Sequence, residues 1–336
     1  MRIGIDARLI EETGVGRYIR NLVLQLVSLD TQNEYVVFLR KKSFDAFHLP
    51  NARWTKVLAY VPWHSVTEQL VMPGIFFQAK LDLLHIPYFN VPIFYPGKIV
   101  VTIHDLTILH FDTGKASTLP WVLYKLRRLG YRLVLWIGLT RAKKIIAVSK
   151  TTKKDIVESL GVDANKIVVT YEGADLKRTT GKPLISGEYF LYVGNAYPHK
   201  NLDVLIKTGL RVVYAGKDDY FYRRLGITPI TVTDEELANL YQNAKALVFP
   251  SLMEGFGLPA IEAISLGCPV ICSDIPVFHE ILGDNAIFFN PHDSHDLATK
   301  LRGDIPKKHV ELDERFNWVT MVKQTMTIYR GASNNK

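Results

Sequence analysis

Short apolar runs alternate along this chain with stretches whose apolar residues recur at helical spacing. In the first half the runs predict strands over 2–6, 35–39, 81–86, 99–103, 144–148 and 167–169. Tyr18, Leu22 and Leu26 share one face of a helix predicted over 15–28, and a second helix over 151–160 stops at Gly161. Strands this short and apolar, spaced by helices, indicate a parallel sheet covered on both faces. Residues 173–188, with Gly181, Pro183 and Gly187, predict a linker. The pattern then restarts, with strands over 189–193, 210–215, 230–232, 246–249, 270–273 and 286–289. Helices are predicted over 202–206, 234–243, 259–265 and 294–302. Phe316, Trp318, Val319, Val322 and Ile328 then mark a last apolar segment. The expectation is α/β: two Rossmann-like, doubly wound parallel-sheet domains facing across a cleft.

A chain of 336 residues, 48% hydrophobic, is long enough for two such cores. Net charge is +8, but residues 1–170 carry 23 Lys and Arg against 13 Asp and Glu, whereas the remainder is slightly acidic. A basic first half suits an anionic partner (nucleic acid, a phospholipid surface or a phosphorylated substrate) or is simply a solubilising face. Nothing at the N-terminus reads as a signal peptide, and the longest central apolar run, 133–139, is far too short to span a bilayer. Cys268 and Cys272 lie in and beside an apolar strand and read as buried thiols. The expected location is the cytoplasm, with the inner face of the membrane as a further option.

The most informative stretch is Glu254-Gly255-Phe256-Gly257-Leu258-Pro259-Ala260-Ile261-Glu262. It sets a glycine-rich turn after the strand ending at Phe249 and before a predicted helix, an arrangement that brings backbone N–H groups and a helix N-terminus to a phosphate. Pro259 suits a first-turn position. Glu254 in the loop and Glu262 one turn into the helix would face one crevice, where carboxylates accept hydrogen bonds from ligand hydroxyls. Phosphates and hydroxyls together describe a nucleotide sugar. The longer string 249–263, with Gly267-Cys268-Pro269-Val270-Ile271 and Ser273-Asp274, resembles the donor-site signature of the retaining glycosyltransferases of family 4, which have the GT-B fold. The resemblance is strongest over 246–290, good over 99–106 and 189–203, and weakest over 40–80.

That resemblance implies an acceptor-binding domain over 1–172, a linker over 173–188, a nucleotide-sugar domain over 189–312, and a closing helix within 313–336 crossing back to the first domain. His104, at the end of a strand, would contact the donor sugar; Asp105 either orients its ring or caps the next segment. Lys200, in Pro198-His199-Lys200-Asn201, would bind the donor diphosphate and stabilise charge building on it. Asn195 and His199 stand where some relatives add an arginine. Glu254 would hold the sugar hydroxyls and Glu262 the ribose, with Phe256, Gly257 and Leu258 giving N–H groups to phosphate. Val232 and Thr233 would line the base pocket, and Gly14 and Gly16 would approach the diphosphate and acceptor.

Val101-Thr102-Ile103-His104-Asp105-Leu106, with Tyr192-Val193-Gly194-Asn195 and Pro198-His199-Lys200-Asn201, is similar to bacterial and archaeal mannosyltransferases of surface-polysaccharide assembly. GDP-mannose is therefore the favoured donor, with a UDP-sugar next, and a glycan or lipid-diphosphate-linked acceptor. The stretch 118–144 mixes Trp121, Tyr124, Tyr131 and Trp136 with seven Lys and Arg. It reads either as a surface for an anionic membrane or as a buried helix pair with a charged outer face. No Asp-x-Asp stands in a metal–diphosphate context, so no metal and no other cofactor is expected. No P-loop, hydrolase elbow or nucleic-acid-reading motif occurs, and nucleic acid is not an expected partner. A glycosidase pair is excluded because a phosphate-type loop lies between the two carboxylates. The remaining alternatives are a GT-B nucleotide-sugar epimerase and a catalytically silent nucleotide-sugar-binding subunit.

Overall fold

The computed structural model describes residues 1–61, 65–111, 121–306 and 312–334, with side chains omitted at 121–124 and 127. The chain forms two compact units. Among the described residues, the first is built from 1–109, 121–172 and 318–334, the second from His110, Phe111 and Gly173–Asn317.

The strands of the first unit are β1 (Arg2–Asp6), β2 (Glu34–Leu39), β3 (Trp54–Leu58), β4 (Leu83–Ile86), β5 (Ile99–Ile103), β6 (Lys144–Ala147) and β7 (Ile167–Val169). They make a seven-stranded sheet in the order β3-β2-β1-β4-β5-β6-β7, and every pairing is parallel. Its helices are α1 (Gly14–Leu29), α2 (Lys41–Ala46), α3 (Val66–Gln78), α4 (Thr107–His110), α5 (Trp121–Arg141) and α6 (Lys150–Leu160). The central strands are apolar because the sheet is covered on both faces: every residue of β4 and β5 is buried. The start of α6 is set by Ser149, whose Oγ accepts from Thr152 N–H, and its end by Gly161 at φ 64°.

The second unit holds β8 (Phe190–Val193), β9 (Val212–Ala215), β10 (Leu247–Phe249), β11 (Val270–Ser273) and β12 (Ala286–Phe289). These pair in parallel in the order β12-β11-β10-β8-β9. Its helices are α7 (Leu202–Ile206), α8 (Tyr220–Arg224), α9 (Asp234–Asn243), α10 (Leu258–Ser265), α11 (Pro276–Leu282) and α12 (Ser294–Arg302). No helix or strand occurs over 173–188. The last helix, α13 (Trp318–Asn334), packs on α1 and beside β4 and β5 of the first unit. There Tyr329 bonds His85 at 2.6 Å, and Trp318 meets Tyr18 edge to face.

Two strands differ from expectation. The strand predicted over 230–232 is a single bridge from Ile230 to Ala215, because the chain turns at once into α9. An unpredicted edge strand, β3, pairs with β2; Thr55 and Lys56 break its apolar pattern. The closing helix expected within 313–336 runs over Trp318–Asn334.

The strand orders fix where ligands meet such sheets. In each sheet the strands wind outward from one strand and then return to its other side, between β1 and β4 in the first and between β8 and β10 in the second. Open α/β sheets bind ligands at this reversal, beyond the carboxyl ends of the strands.

Candidate functional site

At the second sheet's reversal, the loops after β8 and β10 carry most of the residues singled out from sequence. After β8 the chain turns at Gly194 (φ 145°) and runs through Asn195 to a single 3₁₀ turn, Pro198–Lys200. Two buried phenols hold this turn: Tyr192 donates to the carbonyl of Asn195 at 2.5 Å and Tyr222 to that of Gly194 at 2.9 Å. A side chain at Gly216 would collide with the Gly194 carbonyl, so glycine is required there for the close approach. Asn201 adopts a left-handed conformation and donates through Nδ2 to the carbonyls of Pro250 and Pro291. Leu252 N–H bonds the His199 carbonyl at 2.8 Å, so the two loops are tied by backbone as well.

This tying brings Lys200 and Glu254 together. Nζ of Lys200 lies 2.5 Å from Oε1 of Glu254, and Ser251 donates to the same oxygen at 2.7 Å. The two side chains are 14% and 12% exposed, so the pair lies at the floor of the loops and not in open solvent. Gly257 is the N-cap of α10 at φ 95°, and a Cβ there would stand 2.9 Å from the ring of Phe278. No side chain caps α10, and Leu258 and Pro259 form its first turn. That leaves a glycine-bent helix N-terminus directly after an ion pair. Glu262, on the buried face of α10, accepts from Tyr241 at 3.2 Å.

Other expected residues fall differently. His199 is buried, its ring against Tyr197, and reaches the site through its backbone. Thr233 caps α9: its hydroxyl accepts from Glu236 N–H while the Glu236 carboxylate returns to Thr233 N–H, a full capping box. Its side chain therefore serves the helix, and Val232 beside it is half-buried. Cys268 and Cys272 are buried and unbridged.

Gly14, Gly16 and His104 belong to the first unit. Gly16 packs where a Cβ would meet the carbonyls of Leu9 and Ile10, whereas a Cβ on Gly14 meets nothing. His104 follows β5; its Nδ1 faces Oε1 of Glu172 at 2.9 Å and its Nε2 the Pro87 carbonyl at 3.3 Å. The ring of Tyr18, from α1, stands edge-on to it at 4.8 Å. Glu172, at the end of the 121–172 stretch of that unit, thus fixes the His104 imidazole. Asp105 caps the next turn, accepting from Thr107 N–H at 2.9 Å. Behind them His85 is fully buried, with Nε2 on Thr102 Oγ1 and Nδ1 on Tyr329. Burial, then His104, push the His85 imidazole down to about 3. It is neutral, donating through one nitrogen and accepting at the other.

Of the stretch 118–144, residues 118–120 and the side chains of Trp121 and Tyr124 lie outside the described residues. The described part of α5 exposes Leu126, Leu129, Leu133 and Trp136 along one narrow stripe, with Lys125 and Arg132 exposed beside it. Leu135 and Leu139 face inward on the opposite side. On α3, Val66, Leu70 and Phe77 are also exposed. No described helix is long and apolar enough to cross a membrane. Among the described residues no group of three or more His, Cys, Asp and Glu is arranged to hold a metal ion.

Known proteins resemble this chain in sequence and in fold. Residues 13–178 match the profile of Glycosyltransferase Family 4, and residues 228–316 that of Glycosyl transferases group 1. The O-antigen chain mannosyltransferase RfbU of Salmonella typhimurium is 32% identical over 220 residues, 60% of this chain and 59% of that protein. The aligned part therefore spans less than two thirds of that relative. The O-antigen chain mannosyltransferase B of Escherichia coli is 27% identical over 277 residues, 69% of this chain and 70% of its own. Among solved structures, sucrose-phosphate synthase from Thermosynechococcus elongatus superposes with a TM-score of 0.76 at 19% identity, covering 98% of both chains. Anabaena HepE in complex with UDP gives a TM-score of 0.71 at 16% identity, over 98% of this chain and 100% of that one. At such identities these likenesses speak to fold.

Proposed function

We infer that the chain is a glycosyltransferase of family 4 with the GT-B fold, and that it moves a hexose from a nucleoside diphosphate sugar to an acceptor hydroxyl with retention of configuration. The donor is GDP-mannose before a UDP-sugar, and the reaction needs no divalent metal. Both curated relatives described above are named mannosyltransferases of O-antigen chains, which supports mannose and a glycan or lipid-linked acceptor.

The observation that carries this reading is the Lys200–Glu254 pair set before the glycine-capped start of α10, at the reversal of the second sheet. A diphosphate at this helix start receives backbone N–H groups and the positive end of the helix. Lys200 supplies the full cation. As the bond from the anomeric carbon to the diphosphate breaks, the ammonium stabilises the charge left on phosphate. The acceptor oxygen bonds to the same carbon from the same face, and its proton passes to the departing diphosphate oxygen. Glu254 then has two tasks, anchoring Lys200 and accepting sugar hydroxyls. Glu262 accepts ribose hydroxyls, Asn195 borders the phosphates, and Phe256, Gly257 and Leu258 line them. The family resemblance assigns the donor sugar to His104, whose ring Glu172 and the Pro87 carbonyl hold within the first unit. The α5 stripe with its basic flank suits an anionic bilayer presenting a lipid-diphosphate-linked acceptor.

Incubation with GDP-mannose, with and without methyl α-D-mannoside, tests the reaction class. Formation of a dimannoside with the α-linkage of the donor supports retaining transfer. A new GDP-sugar formed from donor alone would make the protein an epimerase, and unchanged donor in every mixture of GDP-, UDP- and ADP-sugars would leave a binding subunit.

A further inference from the structure

At the first sheet's reversal, between β1 and β4, four polar side chains converge that the transfer reading has not used. Asp6 ends β1, Arg8 follows it, Glu68 comes from the first turn of α3 and Asn90 from the loop after β4. Arg8 donates through Nε to Oδ1 of Asp6 at 2.8 Å and through Nη2 to Oδ2 at 2.6 Å. The same Nη2 lies 2.7 Å from Oε1 of Glu68, and Asn90 Nδ2 donates to the other oxygen of that carboxylate. All four residues are less than a tenth exposed. Burial opposes the charge on Arg8, yet Asp6 and then Glu68 outweigh it and hold the guanidinium above its ordinary pKa.

One group is left over. Nη1 of Arg8 is buried without a hydrogen-bond partner, a rare and costly condition for a guanidinium nitrogen. Arg8 lines a cavity of about 20 Å³ together with Asp6, Glu68, Asn90, Pro87 and Tyr88. That volume admits a single oxygen. Nη1 shares the cavity with two carboxylates, Asp6 and Glu68, so an occupant that both accepts and donates fits it better than an anion that only accepts. A hydroxyl satisfies both halves, accepting from Nη1 while donating to a carboxylate oxygen. Pro87 connects the cavity to the reaction groups already described, because its carbonyl faces Nε2 of His104.

We propose that Asp6, Arg8, Glu68 and Asn90 form a subsite that recognises one hydroxyl of a sugar or polyol acceptor and positions it near His104. The proposal rests on the glycosyl-transfer reading above and assigns the second substrate's specificity to this cluster. Arg8 donates a hydrogen bond to the hydroxyl oxygen, a Glu68 oxygen accepts the one the hydroxyl donates, and Asp6 and Asn90 hold the two in register.

The test pairs two readouts on wild type, Glu68→Gln and Asn90→Ala. Saturation-transfer NMR measures binding of methyl mannoside, methyl glucoside, methyl galactoside and myo-inositol, and GDP- and UDP-induced thermal shifts report the donor unit. The expected result is binding of at least one probe by wild type, weakened at least tenfold in Glu68→Gln and several-fold in Asn90→Ala, with the nucleotide shift unchanged in all three. Equal probe affinity in wild type and both variants, or no probe bound by wild type, overturns the subsite. So does a nucleotide shift lost only in the variants, since the cluster would then serve the fold at large. A wild type that binds a probe but neither nucleotide contradicts the donor reading alone.

Discussion

Nζ of Lys200 and Oε1 of Glu254 meet at 2.5 Å across 54 residues of sequence, joining the loops after β8 and β10 into one charged floor. Each half-buried charge is the other's partner, so removing one exposes the cost of the other. Lys200→Ala should lower kcat roughly 10²- to 10³-fold, the size of effect seen when one fixed donor to developing charge is deleted. Glu254→Gln should lower kcat/KM by a comparable factor. The double variant Lys200→Ala/Glu254→Gln should fall well short of the product of the two, because the side chains act as a unit. Steady-state kinetics on the four proteins checks this; strictly multiplicative losses would mean that the contact has no functional consequence.

Gly257→Ala should damage both stability and donor binding. At φ 95° an alanine is strained, and its Cβ would press on the Phe278 ring. A cost of about 1–3 kcal/mol is expected, read as a lower Tm together with a weaker nucleotide-induced shift. Gly14→Ala provides the contrast, since a Cβ there meets open space. Its Tm should remain within a degree or two of wild type on these grounds.

The buried His85 predicts acid sensitivity. Its folded pKa of about 3 lies below the ordinary 6.5, so below pH 6.5 the unfolded chain takes up a proton that the folded chain refuses. The stabilisation is complete above pH 6.5 and declines as pH falls toward 3, by up to roughly 1.4 kcal/mol per pH unit. Urea unfolding at pH 7.0 and 5.0 should show wild type losing more stability than His85→Gln over that interval. Parallel losses would show that the acid sensitivity has another source.

The exposed apolar stripe of α5 should bind anionic bilayers. Co-sedimentation with vesicles containing phosphatidylglycerol is expected for wild type, weaker in high salt, and reduced severalfold in a Leu129→Asp/Leu133→Asp variant. Transfer to a water-soluble glycoside should be unaffected by these substitutions. Equal sedimentation of variant and wild type would remove α5 from membrane contact.

Much of this architecture was legible because parallel strands covered on both faces must be apolar throughout. Ile99–Ile103, Ile167–Val169, Val270–Ser273 and Ala286–Phe289 were therefore bounded correctly from sequence. β3 escaped because an edge strand tolerates Thr55 and Lys56, and Ile230 misled because the β-branched triplet Ile230-Thr231-Val232 before a capping threonine looks like a strand. The glycine loop before α10 was readable because its residues are consecutive. The Lys200–Glu254 contact was not, since only the sheet order β10-β8 makes those loops neighbours. The same holds for Arg8, whose partner Glu68, itself held by Asn90, arrives from a distant segment. Ser251, Tyr241 and Glu172 gave no sequence signal beyond their residue type, because each acts by positioning a neighbour.

Calorimetric titration of GDP-mannose into wild type and Lys200→Ala, with exposed Lys207→Ala as control, addresses donor binding at the second sheet's reversal most directly. The expected result is saturable one-to-one binding by wild type and Lys207→Ala, with affinity at least tenfold weaker in Lys200→Ala. Identical isotherms for wild type and Lys200→Ala would contradict the placement of the diphosphate beside that lysine.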